Sequence, residues 1–349
     1  MKLLVSALEH SANIHLSYLL KELGEDVVLS GIFDNTLGKS IVDLRATSVM
    51  GFVDALLKLP FFFRLKDQMV ALAEDADKVL LIDSSGFNLP LAKAIRKRYP
   101  QKEIIYYILP QAWAWKKKRI PVLEKTITKL CSILPFEPSY YSPNAPIEYV
   151  GHPLLDEIIL RKADLTPSGK ITFMPGSRPG EIKRLMPVFR ELRSMLDAQA
   201  LLVIPPHFTS ETIKELYGDI SAFEITHAAH QSLAESDFAF ICSGTATLEA
   251  ALIGTPFLLA YIAKPLDYAI ASRLVKLDYV GLGNILFSHA YGRKLHPEYL
   301  QNDVFAQNLY NGYQEMDKNA FFNDAGRLRE LLQHGSAARV SNIIKDHNA

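Results

Sequence analysis

The chain has 349 residues, with 38 basic and 38 acidic side chains and only two cysteines. The zero net charge gives no support to a protein that binds nucleic acid or another polyanion, and so few cysteines exclude a disulfide scaffold. The hydrophobic fraction of 49% and the charged fraction of 22% are typical of a globular protein. At roughly 100–200 residues per domain, the length favours two domains.

The first half of the chain alternates short apolar runs, rich in β-branched residues, with longer helical patterns. This alternation is typical of βαβ units and predicts an α/β fold with a doubly wound parallel sheet. We predict an N-terminal Rossmann-like domain over residues 1–165. Its predicted strands are Lys2–Leu8, Val27–Ile32, Lys78–Asp83, Glu103–Ile108, Leu130–Leu134 and Ile147–Gly151.

The same pattern restarts after a segment with Pro167 and Gly169, which we interpret as a linker. We predict a second Rossmann-like domain over residues 166–324, with strands at Lys170–Met174, Ala200–Ile204, Phe223–Thr226, Asp237–Cys242 and Pro256–Ala260. A helical pattern from Ala325 to Lys345 follows, and we expect residues 325–349 to pack back on the first domain. Because ligands bind beyond the carboxyl ends of parallel strands, two facing domains of this kind predict an interdomain cleft.

Two strand-to-helix turns in the second domain carry small residues that expose backbone N–H groups. They contain Gly176, Ser177 and Arg178 in the first turn, and Ser243, Gly244 and Thr245 in the second. Such N–H groups and the positive end of a helix dipole attract phosphate, so the pair predicts a diphosphate site. Glu249 lies about one and a half turns into the second helix, where its carboxylate can accept hydrogen bonds from ribose. We therefore predict a nucleoside-diphosphate ligand.

Arg178 can make a bidentate contact to a phosphate oxygen as the leaving group departs. The alternative is that Arg178 is a solvated residue at a helix start. For the second turn, the alternative is that Ser243, Thr245 and Thr247 cap the following helix, a role that is compatible with phosphate binding.

Asp83 ends a predicted strand and precedes a helix, which places its carboxylate at the carboxyl edge of the first sheet. A carboxylate there can take a proton from an attacking hydroxyl, because burial increases its basicity. We predict that Asp83 is the general base. The alternative is a turn-forming Asp that bonds to nearby N–H groups.

Two segments of the first domain combine aromatic or apolar residues with basic ones. Trp113 and Trp115 lie beside the basic run Lys116–Arg119, which suits sugars, lipids and phosphate, although core tryptophans before a solvated helix start are commoner. The segment from Met50 to Lys66 is more apolar than one helix face requires. It predicts a surface that dips into lipid or grips an acyl chain, against the alternative of a helix buried in the domain.

Metal and dinucleotide patterns are weak in this sequence. His227 and His230 have no acidic or thiol partner nearby, and the pair Asp75 and Asp77 precedes a strand instead of following one. The first predicted strand is not followed by Gly-x-Gly-x-x-Gly, and a Walker A lysine is absent. We expect no metal ion and no cofactor. The sequence also lacks a run of about 20 apolar residues and a signal-peptide core, so we expect a cytosolic protein.

A set of short motifs runs along the chain. In the first half these are Val49-Met50-Gly51, Asp83 with Phe87-Asn88, Gln111 with Trp113-Ala114-Trp115, Leu134-Pro135-Phe136-Glu137 and Gly151-His152-Pro153-Leu154. The second half adds Pro175-Gly176-Ser177-Arg178 with Glu181, Ser243 to Glu249, Lys264-Pro265, and Asn284-Ile285-Leu286. In order and spacing, this set resembles the lipid-A-disaccharide synthase family of Gram-negative bacteria. The chain departs from the family's Gly-Glu-x-Ser-Gly-Asp turn at Leu8–Asn13, which lacks both glycines and the final acid.

The resemblance implies the glycosyltransferase B fold and a metal-independent, inverting transfer. The implied donor is UDP-2,3-diacylglucosamine, the implied acceptor is 2,3-diacylglucosamine 1-phosphate (lipid X), and the implied second product is UDP. The resemblance also implies peripheral association with lipids on the cytosolic face of the inner membrane; whether the enzyme is a monomer or a homodimer stays open. The implied donor-site residues are those of the two turns with Glu249 and Asn284. The implied substrate-binding residues are Glu9, Ser11, Asn13, Met50, Phe52, Asn88, Gln111 and Trp115, with Met50, Phe52 and Trp115 near the acyl chains.

Two other classes of protein use parts of the same pattern. A UDP-sugar epimerase of related fold would need the nucleotide domain and no lipid acceptor. A non-catalytic lipid carrier would need the apolar segment over residues 50–65 and no Asp83.

Overall fold

The structure, a computed structural model, describes residues 1–42, 59–264 and 278–346, apart from the side chains of Leu59 and Trp115. The chain divides into two compact units, Met1–Glu157 with Leu332–Ala349, and Ile158–Leu331. Each unit is built on a sheet of six strands in which every recorded pairing is parallel. The predicted pair of doubly wound α/β domains is confirmed.

The first unit has the strand order β2-β1-β3-β4-β5-β6. Its elements are β1 (Lys2–Ser6), α1 (His10–Leu23), β2 (Val28–Ile32), α2 (Leu59–Leu72), β3 (Lys78–Ile82), α3 (Ser85–Arg98), β4 (Glu103–Tyr107), α4 (Ala112–Trp115), α5 (Ile120–Thr126), β5 (Lys129–Ser132), β6 (Ile147–Tyr149), α6 (Leu154–Glu157) and the returning helix α14 (Ser336–Lys345). Short 3₁₀ turns cover Lys117–Arg119 and Glu137–Tyr140.

The core of the first unit lies on both faces of its sheet. All five residues of β3 are buried, as expected for a central strand of a parallel sheet. Successive side chains of a strand point to opposite faces, so Leu81 packs with Ile95 on one face and Leu80 packs with Val340 on the other. The second face includes α14, which packs against α1.

The second unit has the strand order β12-β11-β10-β7-β8-β9. Its elements are β7 (Lys170–Met174), α7 (Pro179–Ser194), β8 (Gln199–Val203), α8 (Ser210–Tyr217), β9 (Glu224–Thr226), α9 (Ala229–Glu235), β10 (Phe238–Ile241), α10 (Thr245–Ile253), β11 (Phe257–Tyr261), α11 (Leu282–Tyr291), β12 (Glu298–Leu300), α12 (Ala306–Glu315) and α13 (Lys318–Leu332). The rings of Phe173 and Phe240 stack with their centroids 5.2 Å apart at the centre of its core.

Two details differ from the sequence prediction. The pattern from Ala325 to Lys345 predicts one helix, but α13 and α14 are separate, because the chain turns at Gln333 (φ 48°) and Gly335 (φ 85°). Strand β12 was not predicted, since it has three residues and all are half-buried, which leaves no apolar alternation.

The boundaries between the two compact units fall after residues 157 and 331, whereas the sequence analysis placed the domain boundaries after residues 165 and 324. Residues after Glu157 already contact the second unit. The backbone N–H of Lys162 donates to the Ile253 carbonyl at 2.9 Å, and its ammonium donates to the Ser236 carbonyl at 2.9 Å.

Candidate active site

The two phosphate-type turns of the second unit leave neighbouring strands. β7 pairs with β10, and Met174 lies opposite Ile241 in the register. Gly176 has a φ of 103°, and a Cβ built there would lie 2.8 Å from Glu181 Oε2 and 3.2 Å from Cys242 Sγ. Only glycine fits this position without a shift of neighbouring atoms. The two turns therefore lie side by side at the carboxyl edge of the second sheet.

Neither helix that follows these turns has a side-chain cap. The N-cap residue of α7 is Arg178, whose side chain accepts no hydrogen bond from a backbone N–H of the helix, and that of α10 is Gly244, which has no side chain. Thr247 donates its hydroxyl proton to the Gly244 carbonyl at 2.8 Å instead of accepting from a backbone N–H. The capping alternative thus does not describe this turn, and the positive end of each helix faces the turn that precedes it.

Arg178 extends from the first turn into solvent. Its side chain is 80% exposed and makes one ion pair, 3.2 Å from the guanidinium to Glu181 Oε1. The Glu181 side chain is only 8% exposed. A buried carboxylate thus anchors one end of a guanidinium whose other N–H groups point to the surface, where an anion can bind.

Glu249 lies on α10 with its side chain 18% exposed, and its Oε2 is 3.3 Å from Nε2 of His230 on α9. His227 bonds through Nδ1 to the Ile204 carbonyl at 2.7 Å. The sequence predicted Glu249 but did not assign His230 to it. The expectation that neither His227 nor His230 has an acidic partner is therefore wrong for His230, because Glu249 lies on a different helix and only the fold brings it there.

Asn284 is fully buried in the second unit and its amide is saturated. Nδ2 donates to the His296 carbonyl at 2.9 Å and to Glu298 Oε1 at 2.7 Å. Oδ1 accepts from the N–H groups of Leu295 at 2.7 Å and His296 at 2.9 Å. A side-chain amide has two donors and one acceptor oxygen with two lone pairs, so no group of Asn284 is left for a nucleotide in this structure. Here it ties α11 to β12.

Asp83 sits at the carboxyl end of β3 with its side chain half-buried. Burial raises its pKa, and the nearby Glu9 carboxylate raises it further, while the Ser84 N–H and His15 lower it. A raised pKa makes the ionised carboxylate a better proton acceptor near neutral pH. Glu9 is tied to the same turn, because the Ser84 hydroxyl donates to its Oε1 at 3.2 Å.

Asn13 and Asn88, both predicted to bind substrate, are buried and bond to the chain itself. Asn13 Nδ2 donates to the carbonyls of Ala7 at 2.9 Å and Glu9 at 2.8 Å, and its Oδ1 accepts from the Asp34 N–H at 2.7 Å. Asn13 therefore shapes the loop that carries Glu9. Ser11, in the first turn of α1, is exposed.

A pair that the sequence did not predict lies beside Asp83. His15 Nδ1 and Glu157 form a short hydrogen bond, and His15 exerts an electrostatic effect on both Asp83 and His152. His152 is 3% exposed, and burial lowers its pKa to about 3. Its Nδ1 accepts from the Leu154 N–H at 3.3 Å, and its Nε2 has no partner among the residues described. His15 has no sequence motif of its own, because the fold alone brings it to Glu157.

The remaining predicted substrate residues are only partly within the description. Gln111 is exposed and precedes α4, whereas Trp113 is 3% exposed and packs edge-on against Phe136 at 4.8 Å, so it is a core residue. Met50, Phe52 and the Trp115 side chain lie outside the described residues.

On α2, Phe61 and Phe62 pack against the core of the first unit, whereas Phe63 is 59% exposed. The ammonium of Lys66 lies 5.3 Å from the centroid of the Phe63 ring. In the described part of α2, the apolar segment thus has both a buried side and an exposed aromatic residue beside a basic one.

The described part of the chain contains neither a metal-binding cluster nor a membrane-spanning helix. In the ranges 1–42, 59–264 and 278–346, three or more His, Cys, Asp or Glu side chains do not come together in a way that could hold a metal ion. A helix long and apolar enough to cross a bilayer is likewise missing from those ranges.

Solved structures with the same architecture belong to glycosyltransferases and nucleotide-sugar epimerases. A putative UDP-N-acetylglucosamine 2-epimerase from Listeria monocytogenes matches with a TM-score of 0.61 at 15% identity, over 99% of this chain and 96% of that one. The calicheamicin glycosyltransferase CalG4 matches with a TM-score of 0.60 at 12% identity, over 99% and 97%. The fold is therefore that of the B-type glycosyltransferases and the epimerases related to them.

The sequence narrows this class to one family. Residues 3–337 match the family described as lipid-A-disaccharide synthetase. The lipid-A-disaccharide synthase of Helicobacter pylori (strain ATCC 700392 / 26695) is 49% identical over 354 residues, covering 97% of each chain. That of Campylobacter jejuni (strain RM1221) is 44% identical over 367 residues, covering 98% of this chain and 99% of its own. The chain belongs to the lipid-A-disaccharide synthetase family and is a glycosyltransferase of lipid A biosynthesis, as the resemblance predicted.

Proposed function

We propose that the protein joins UDP-2,3-diacylglucosamine to lipid X, forming the β-1,6-linked disaccharide 1-phosphate and UDP. The observation that carries this proposal is the pair of adjacent, uncapped turns at Gly176 and Gly244, with Arg178 and Glu249 beside them. Family membership and the names of relatives from Helicobacter and Campylobacter support the choice of substrates.

In this proposal the second unit holds the UDP part of the donor. The backbone N–H groups of the two turns and the positive helix ends bind the diphosphate, with Ser177, Ser243 and Thr245 as further donors. Arg178 pairs with a phosphate oxygen, and Glu249 accepts hydrogen bonds from the ribose hydroxyls. These groups supply the positive charge that a metal ion supplies in other transferases, so we propose a reaction without metal or other cofactor.

The first unit supplies the base. Asp83 accepts the proton of the acceptor 6-hydroxyl while that oxygen attacks the anomeric carbon of the donor. The bond from the anomeric carbon to the diphosphate oxygen breaks as the new one forms, through a transition state of oxocarbenium character, and its electron pair leaves with UDP. A single displacement of this kind inverts the anomeric configuration. Glu9 supports the reaction by keeping the Asp83 carboxylate basic.

We further propose that the acyl chains contact the apolar segment around Met50 and Phe52, with Trp115 nearby, and that Phe63 and Lys66 touch anionic lipid at the cytosolic face of the inner membrane. The exposed Phe63 ring beside the Lys66 ammonium supports this surface, since an apolar residue and a basic one together favour an anionic interface.

Incubation of the purified protein with UDP-2,3-diacylglucosamine, with and without lipid X, tests the reaction. We expect UDP release only when lipid X is present, at a rate that EDTA does not change, and a β-configured product by proton NMR. Turnover of UDP-N-acetylglucosamine without acceptor would instead indicate an epimerase. Lipid binding without UDP release would indicate a carrier.

A further inference from the structure

The turn that carries Asp83 has an unusual backbone. Asp83 has a φ of 51° and Ser84 a φ of 43°, so two successive residues with side chains are left-handed. This region is sparsely populated for residues other than glycine, and it persists only where the surrounding fold holds it. The contacts that hold this turn therefore decide where the Asp83 carboxylate points.

Two buried side chains converge on the Asp83 carbonyl oxygen. The Tyr106 hydroxyl, from β4, donates to it at 2.7 Å, and Asn88 Nδ2, from α3, donates to it at 2.9 Å. Asn88 Nδ2 also donates to the Ile82 carbonyl at 3.1 Å. The turn is thus held from a neighbouring strand and from the helix that follows it.

The Asn88 amide is itself fixed from β1. The Ser6 hydroxyl donates to Asn88 Oδ1 at 2.6 Å, which sets which end of the amide carries the donors. Ser6, Asn88 and Tyr106 are all 0% exposed, so none of them has surface available to a substrate. Their polar groups form hydrogen bonds within the protein. The sequence analysis predicted that Asn88 contacts substrate, but Asn88 has no exposed group that could do so in this structure.

We propose that Tyr106 and Asn88 are positioning residues for the proton transfer, because together they clamp the carbonyl of Asp83 and so hold its carboxylate in the reactive orientation. The inference rests on the proposed function, in which Asp83 is the general base. A small displacement of a catalytic group lowers kcat strongly while substrate binding elsewhere is retained.

The next residue on the same strand provides a matched control. Tyr107 is also buried, and its hydroxyl lies 2.8 Å from Ser336 Oγ on the opposite face of the sheet. Tyr106→Phe and Tyr107→Phe each remove one buried hydroxyl from β4. The thermal midpoint should therefore fall by a similar amount in both variants, whereas only Tyr106→Phe alters the turn at Asp83.

We expect Tyr106→Phe to lower kcat by about 10-fold or more, with KM for both substrates within about twofold of wild type. Tyr107→Phe should keep kcat within about twofold at the same loss of thermal stability. Ser6→Ala, which allows the Asn88 amide to rotate, should lower kcat by about threefold with unchanged KM. The acidic limb of the kcat–pH profile should move in Tyr106→Phe and stay in place in Tyr107→Phe.

Equal kcat values in Tyr106→Phe and Tyr107→Phe, together with wild-type kcat in Ser6→Ala, would overturn the clamp. If those kcat values are found and Asp83→Asn is inactive in the same assay, the positioning role of Tyr106 and Asn88 is wrong but Asp83 remains the proposed base. An active Asp83→Asn variant would instead remove the proposed base, and the clamp with it.

Discussion

At the scale of single residues, Asp83 has a left-handed backbone and lies where its ionised carboxylate is disfavoured. Burial and the Glu9 charge raise its pKa above the unfolded value, so the ionised carboxylate destabilises the folded state. This cost appears as the pH rises above about 3.9 and is absent below it, where the carboxyl is protonated in both states.

We therefore expect Asp83→Asn to abolish turnover, to leave UDP affinity within about twofold and to raise the thermal midpoint at pH 7.5. The gain in thermal midpoint should largely disappear near pH 3.5, where the wild-type carboxyl is mostly protonated in both states. Kinetic assays, UDP titration and thermal melts at the two pH values check this. Asp75→Asn, at an exposed position before the same strand, is the control and should change none of the three. A lower midpoint at pH 7.5 would contradict the electrostatic account.

Arg178 offers a second prediction for a single side chain. Its ion pair joins an exposed guanidinium to a carboxylate that is only 8% exposed, so Arg178→Ala should lower thermal stability modestly, because the Glu181 charge then loses this partner. If the guanidinium stabilises the departing phosphate, kcat should fall by on the order of 100-fold, with a much smaller change in UDP affinity. Lys183→Ala on the same helix, which removes a surface ion pair to Glu215, should leave kcat within about twofold. Equal losses in rate and in UDP affinity would make Arg178 a ground-state contact.

At the scale of elements, the turn after β7 requires glycine at position 176, because a side chain there would clash with its neighbours. Gly176→Ala places a Cβ 2.8 Å from Glu181 Oε2 in a left-handed backbone, so we expect weaker UDP binding and a loss of stability of more than about 1–2 kcal/mol. The matched control is Gly169→Ala, because Gly169 also has a positive φ, 73°, but no atom within 4 Å of its Cβ position. It should cost the backbone strain alone and keep UDP affinity, as measured by denaturant unfolding and calorimetry. Loss of UDP affinity in both variants would rule out a specific role for the first turn.

The sequence predicts the elements of this fold well because strands buried on both faces leave continuous apolar runs between helical patterns. It misses β12, whose three half-buried residues carry no such signal. It also cannot separate polar residues that bind a ligand from those that bind the chain. Three asparagines follow or adjoin turns at the predicted site, namely Asn13, Asn88 and Asn284. The side-chain amide of each forms hydrogen bonds to backbone or side-chain groups of its own unit. Partners for these amides come from distant segments, which only the folded chain brings together.

At the scale of the whole molecule, each unit buries one histidine among its described residues, His152 in the first and His296 in the second. Burial lowers the pKa of His152 to about 3 and that of His296 to about 4. Both folded values lie below the unfolded value of about 6.5, so the stability that depends on the neutral rings is complete above that pH and is lost as the pH falls through the folded values.

We expect the free energy of unfolding to decrease below about pH 6.5, with each histidine contributing roughly 1.4 kcal/mol per pH unit at most. His152→Gln and His296→Gln should each flatten the slope measured by denaturant unfolding between about pH 6 and pH 4.5. His10→Gln, at an exposed position, should leave the slope unchanged. Slopes identical to wild type in both buried variants would assign the acid sensitivity to other groups.

The first unit is assembled from two distant parts of the chain, since α14 packs on α1 after the whole second unit has intervened. During synthesis, the surface of α1 that α14 covers therefore stays exposed until residues 336–345 have left the ribosome. The second unit is continuous and has no such dependence. The part made first should acquire its full protease resistance last, reversing the usual order in which nascent domains mature.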